Sequence, residues 1–154
     1  FAKKFDVQIF ALSFTNYPKD VIKFRKLIGT KKFLISKIET KNAVKNFRKI
    51  SLLSNATLID RGDLSRYVDI VKIPKVQKEI LTVSQKLKKP VYIATNLLET
   101  MTSKPSPTRA EANDIYYSLK SGAKGLVLAA ETAIGKYPIE CVKFIKKFIN
   151  DNKV

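Results

Sequence analysis

The sequence predicts an α/β fold in which parallel strands alternate with helices, and three observations carry that reading. Short β-branched or aliphatic runs recur at residues 9–14, 33–38, 56–59, 91–94 and 126–128. Each is followed by apolar residues at helical spacing. The runs read as continuously apolar, as expected of strands buried on both faces of a parallel sheet.

The elements follow in order. Phe1-Ala2-Lys3-Lys4-Phe5 reads as the tail of a helix running into the first strand, so the protein is expected to begin upstream of Phe1. After the first run, Pro18 opens a helix with Val21, Phe24 and Ile28 on one face. After the second, Thr40 caps a helix carrying Ala43, Phe47 and Ile50. Pro74 precedes Val76, Ile80, Val83 and Leu87 in a helix after the third run. Lys104-Pro105-Ser106-Pro107 is a stiff loop after the fourth, and Thr108 with Glu111 forms a capping box for a helix with Ile115 and Leu119. Pro138 opens the last helix, with Val142, Ile145 and Ile149 on its expected inner face. A doubly wound open sheet and an arc of an eight-stranded barrel both fit this pattern. No Gly-x-Gly-x-x-Gly follows a strand, which argues against a dinucleotide-binding unit.

Composition narrows the chemistry. A chain of 154 residues with 45% hydrophobic content can bury one domain's core. Cys141 stands alone, so an internal disulfide is excluded and a reducing cytoplasm fits best. No apolar run approaches the roughly 20 residues of a membrane-spanning helix, and no secretory leader opens the segment. The formal charge of +17 raises the question of a nucleic-acid or membrane-surface partner. Arginine, however, occurs only at Arg25, Arg48, Arg61, Arg66 and Arg109, and the lysines are spread over every predicted helix, as on a solvated surface. The absence of histidine excludes His-based triads and histidine zinc sites.

The polar residues with chemical potential all follow strands. Lys37 and Glu39 lie two apart, which puts an ammonium and a carboxylate on one face. In Asp60-Arg61-Gly62-Asp63-Leu64 the glycine allows a tight turn presenting backbone N–H groups beside a carboxylate. Ala94-Thr95-Asn96 offers a hydroxyl, and Ala130-Glu131-Thr132 follows the fifth run. Parallel βα folds place ligands at the carboxyl ends of their strands, so this coincidence marks a site.

Five ordered segments now resemble the pyruvate kinase family. They are Ile35-Ser36-Lys37-Ile38-Glu39, Arg61-Gly62-Asp63-Leu64, Ala94-Thr95-Asn96-Leu97-Leu98-Glu99-Thr100-Met101, Lys104-Pro105-Ser106-Pro107-Thr108-Arg109-Ala110-Glu111 and Glu131-Thr132-Ala133-Ile134-Gly135-Lys136-Tyr137-Pro138. The resemblance implies a partial TIM (β/α)8 barrel of about five strands filling residues 1–154. The front of the barrel, a lid domain and a C-terminal regulatory domain would then lie outside this segment. It implies phosphoryl transfer between phosphoenolpyruvate and ADP, giving pyruvate and ATP. Lys37 would neutralise charge on the phosphoryl group and the enolate. Glu39 and Asp63 would hold Mg2+ (or Mn2+). The amides of Gly62 and Asp63 with the Thr95 hydroxyl would cradle the substrate carboxylate, and Thr95 would lie near the carbon that accepts a proton. Ser13 and Phe14 match residues that pack around the lysine. The K+ ligands would belong to the front of the barrel.

The chain also departs from the family pattern. Asp60 stands in place of a small apolar residue, adding negative charge where an anion should dock; Ser65 replaces a glycine, Ala129-Ala130 replaces Ser-Gly, Thr15-Asn16 a segment that often carries a basic residue, and Ser106 an arginine. A divergent enzyme and a barrel piece kept for another, structural role both fit these changes; a basic nucleic-acid or membrane-surface module is the third reading. The segment alone is expected to be inactive. About five βα units leave sheet edges and an apolar face uncovered, so it is expected to pack against missing strands, a second copy or another protein. Light scattering should show association, and a stable lone monomer would contradict this.

Overall fold

A computed structural model of the chain describes residues 5–154. Its strands are β1 (Ile9–Leu12), β2 (Phe33–Ile38), β3 (Ala56–Asp60), β4 (Val91–Ala94) and β5 (Gly125–Val127). The helices are α1 (Pro18–Ile28), α2 (Lys41–Leu53), α3 (Arg61–Leu64), α4 (Ile73–Leu87), α5 (Arg109–Lys120), α6 (Ala130–Ala133) and α7 (Pro138–Asn152). Short 3-10 turns at Ile70–Lys72 and Glu99–Thr102 complete the set. All neighbouring strands pair in parallel, in the order β1-β2-β3-β4-β5.

That order decides between the two architectures the sequence allows. A doubly wound sheet reverses direction at a switch point, whereas here every crossover moves the same way. With right-handed crossovers, one-way winding puts the helices on one face, and α1 packs on α2 and α2 on α4. The sheet is therefore an arc of a (β/α) barrel. On β2 the side chains of Leu34, Ser36 and Ile38 are buried, while Phe33, Ile35 and Lys37 on the alternate face are half-exposed. The core joins Leu34, Ile38, Ile59 and Ile93 from the strands to Val21, Phe47, Ile50, Ile80 and Ile115 from the helices.

Helix starts follow the sequence signals. Thr40 accepts a hydrogen bond from the Ala43 amide at 3.1 Å, and Pro18 and Pro138 occupy first-turn positions of α1 and α7. At α5, Glu111 accepts from the Thr108 amide (2.7 Å), the Thr108 hydroxyl (2.9 Å) and the Thr100 amide (2.7 Å). It thereby ties the helix to the loop that follows β4.

Three expectations change. The first strand stops at Leu12 rather than residue 14, because Phe14 adopts φ +50° and cannot continue extended pairing. The last helix buries Cys141 and turns Phe144, Ile145 and Phe148 toward the core, while Val142 is 53% exposed. Four short helical turns, α3, α6, Ile70–Lys72 and Glu99–Thr102, carry too few residues to show a period. The expected helix tail at residues 1–5 lies outside the described residues except for Phe5, which sits in a turn.

Thr108→Ala is expected to lower stability by about 1 kcal/mol, read as a fall in the urea midpoint at unchanged slope. Burial alone would raise the Glu111 pKa, but its amide and hydroxyl donors outweigh burial and hold it below the ordinary glutamate value. Its contribution is thus present above the ordinary pKa and lost as pH falls through the depressed folded value. Glu111→Gln should flatten that acid limb of the stability curve.

Candidate active site

Strand register assembles the rim. Ile38 pairs with Ile59 and Asp60 with Ala94, so Glu39, Asp60 and Thr95 arrive side by side where β2, β3 and β4 end. Lys37 points to the same place. Its Nζ lies 2.6 Å from Glu39 Oε1 and 3.0 Å from Asp60 Oδ2. Glu39 is fully buried, and its Oε2 accepts the backbone N–H of Phe14. Partial burial pulls the Lys37 pKa down, but the contacts and charges of Glu39 and Asp60 outweigh it, leaving the pKa above the ordinary lysine value.

The turn after β3 is helical. Asp60 caps α3, its Oδ1 accepting the Asp63 N–H at 3.4 Å. Gly62 donates its N–H to Thr95 Oγ1 at 2.7 Å. A Cβ on Gly62 would sit 3.4 Å from Thr95 Oγ1 and 3.5 Å from Asp60 Oδ1, ordinary contact distances, and the residue is not in a left-handed turn, so neither space nor backbone demands a glycine here.

Thr95 holds φ +69° and Asn96 φ +52°. Left-handed backbone is strained for a β-branched residue and persists only where the surroundings enforce it. Arg61 supplies the enforcement: Nε and Nη2 donate to the Thr95 carbonyl at 3.1 and 2.7 Å, and Nη2 also to the Asn96 carbonyl at 2.9 Å. Its Nη1 pairs with Asp114 of α5 at 2.6 Å. The bend aims the Thr95 hydroxyl at Asp60 Oδ1, 3.4 Å away.

Carboxylate oxygens of Glu39, Asp60 and Asp63 lie within 4.8 Å of one another. Glu39 Oε1 is met by the Lys37 ammonium and by no other donor. Hard carboxylate oxygens at this spacing fit a divalent cation such as magnesium or manganese.

The structure thus brings Lys37, Glu39, Gly62, Asp63 and Thr95 together, as the sequence leads one to expect. Phe14 reaches the rim through its amide, while Ser13 is exposed. Glu131 turns away into the interior, where it is 2% exposed and accepts the Ala129 and Leu98 amides at 3.0 and 3.4 Å. Two contributors escaped the sequence reading: Asp60 as a partner of Lys37, and Arg61 as the clamp on the β4 loop. The Lys37-x-Glu39 pattern was the available signal for Asp60, since a neighbouring strand ending in an acid can complete the same cluster.

A one-way parallel βα sheet with charged groups gathered at the carboxyl ends of its strands defines the class of (β/α)-barrel proteins. A model of the family described as "Pyruvate kinase, barrel domain" matches residues 1–142. The pyruvate kinase of Thermotoga maritima is 45% identical over 145 residues, covering 92% of this chain and 31% of that protein. The pyruvate kinase of Methanocaldococcus jannaschii is 40% identical over 150 residues, covering 96% of this chain and 34% of that protein. "Pyruvate kinase isozyme G, chloroplastic" of Nicotiana tabacum is 37% identical over 140 residues, covering 89% and 25%. The chain belongs to the pyruvate kinase family, and it spans about a quarter to a third of the length of these relatives.

Because the folded Lys37 pKa is raised, its ion-pair contribution is fully present below the ordinary lysine pKa and lost as pH rises through the folded value. The stability advantage of the wild type over Lys37→Met, followed by circular dichroism, should therefore hold through neutral pH and narrow only in the alkaline range.

Proposed function

We propose that the protein carrying this chain transfers a phosphoryl group between phosphoenolpyruvate and ADP, giving pyruvate and ATP, and that the rim built on Lys37 forms one side of its site. The observation that carries this reading is the convergence of Lys37, Glu39, Asp63 and Thr95 at adjacent strand ends. The relatives' names supply the substrate class.

In this reaction the bond from phosphorus to the enol oxygen breaks, a bond to a terminal ADP oxygen forms, and the resulting enolate takes a proton at carbon. Lys37 is placed to neutralise charge on the moving phosphoryl group and the enolate. A preorganised charge of this kind is typically worth about 3–4 kcal/mol of barrier. The amides of Gly62 and Asp63 and the Thr95 hydroxyl orient the substrate carboxylate, and Thr95 stands by the carbon that is protonated. Glu39 and Asp63 would hold magnesium or manganese, which supplies neutralising charge for substrate oxygens when bound. Potassium dependence belongs to the same family reading and is assigned to no residue of this chain.

Phosphoryl transfer needs both walls of a pocket, so activity is assigned to the full-length protein and this segment alone is proposed to be inactive. The lone buried thiol of Cys141 suits a reducing cytoplasm, and among the described residues no helix is long and apolar enough to cross a membrane. A second reading, a barrel piece with a structural or interaction role, draws its support from the contact of Asp60 with Lys37, which adds a negative charge to the rim.

Lys37→Met in the full-length protein should lower kcat by about 10²–10³-fold while metal affinity stays nearly constant, with folding checked by circular dichroism. Glu39→Gln should weaken manganese binding measured by electron paramagnetic resonance. Unchanged turnover in the lysine variant favours the structural reading.

A further inference from the structure

Asp60 is the rim residue with the densest set of donors. One carboxylate, 8% exposed at the residue level, meets the Lys37 ammonium at 3.0 Å through Oδ2 and the Asp63 amide at 3.4 Å through Oδ1. Thr95 Oγ1 also lies 3.4 Å from Oδ1, its hydroxyl donating at 2.6 Å to the Ala94 carbonyl. An ammonium on one carboxylate oxygen and a backbone amide on the other form a receptor for a carboxylate. The carboxylate held there belongs to the chain.

The lengths of these contacts matter. Ordinary N–H···O bonds cluster near about 2.9–3.0 Å, so the Asp63 amide, at 3.4 Å, holds Asp60 loosely and can exchange it for another anion. Charge acts in the same direction. Glu39 and Asp60 both face the Lys37 ammonium, while Asp63, within 4.8 Å of both carboxylates, pairs with Arg66 at 3.4 Å, and an incoming anion meets Asp60 as a like charge at close range.

We propose that Asp60 is an internal competitor for the anion-binding donors of this site: its carboxylate occupies Lys37 and the Asp63 amide beside the Thr95 hydroxyl, and a carboxylate-bearing substrate must displace it to bind. This rests on the phosphotransferase reading of the rim and adds to it a device that sets substrate affinity. Asp60 is a positioning and specificity residue here, acting through the donors it holds.

The test is calorimetric titration of oxalate, a small dicarboxylate, into the full-length protein at saturating magnesium. Wild type is compared with Asp60→Asn and Asp60→Ala. Asparagine keeps an acceptor for the Asp63 amide and is itself a good helix cap, so it removes the charge without removing the turn and decides the matter if the alanine variant fails to fold. Asp60→Asn should bind oxalate at least about tenfold more tightly than wild type, as removal of a like charge a few ångströms away predicts. A merely structural role would leave affinity unchanged or lower it. Equal or weaker binding by Asp60→Asn, with measurable binding by wild type, overturns the competitor role and leaves the phosphotransferase reading intact. No oxalate binding by any of the three overturns that reading, and the competitor role falls with it.

Discussion

The arrangement depends on one ion-paired lysine. Lys37 is held between a carboxylate of its own strand end, Glu39, and one from the next, Asp60. The contact with Asp60 does not survive a shift in register: moving β3 by one residue would turn Asp60 to the helix-covered face, since strand side chains alternate with a period of two. The pairing of Ile38 with Ile59, both completely buried, fixes that register. Core packing on one face of the sheet therefore sets the charge geometry on the other. Removing one partner from such a site leaves a buried carboxylate without compensation, which costs more than the intact pair contributes.

The same economy operates between β3 and β4. Arg61 follows Asp60 directly and spends its guanidinium on the carbonyls of Thr95 and Asn96 and on Asp114. The left-handed backbone at Thr95 would relax without such a clamp. A residue whose side chain takes no part in the acidic cluster thus aims the hydroxyl that does face it. Left-handed backbone at Phe14, Thr95 and Asn96 lies where strands end and the rim begins, while Asp6 and the helix C-caps Lys88 and Lys153 adopt it elsewhere. Strain concentrated at functional positions is a common pattern in enzymes.

Much of the fold was legible in the chain because its signals are local and redundant. Proline at the starts of α1 and α7, threonine caps at Thr40 and Thr108, and apolar spacing through α2 and α4 all agree with the tertiary contacts. Periodicity is blind to which way a crossover turns, so the winding direction came from the family resemblance, and the strand order agrees with it. At the site, Lys37 and Glu39 could be read together because two-residue spacing within one strand is a fixed geometry. Asp60 was visible only as an unexpected charge. Its partnership with Lys37 depends on inter-strand register, and that is set by long-range packing. The outward turn of Val142 was missed for a related reason: several apolar stripes fit α7, and contacts with the rest of the fold select the one through Cys141, Phe144 and Phe148.

The account stands on one cation-binding rim shared by strand ends β2 and β3. Anomalous diffraction from crystals of the full-length protein grown with manganese tests it directly. A manganese peak within about 2.0–2.3 Å of carboxylate oxygens from both Glu39 and Asp63 is the predicted result. A fully occupied manganese peak elsewhere in the barrel, with Glu39 and Asp63 left without metal, would contradict it.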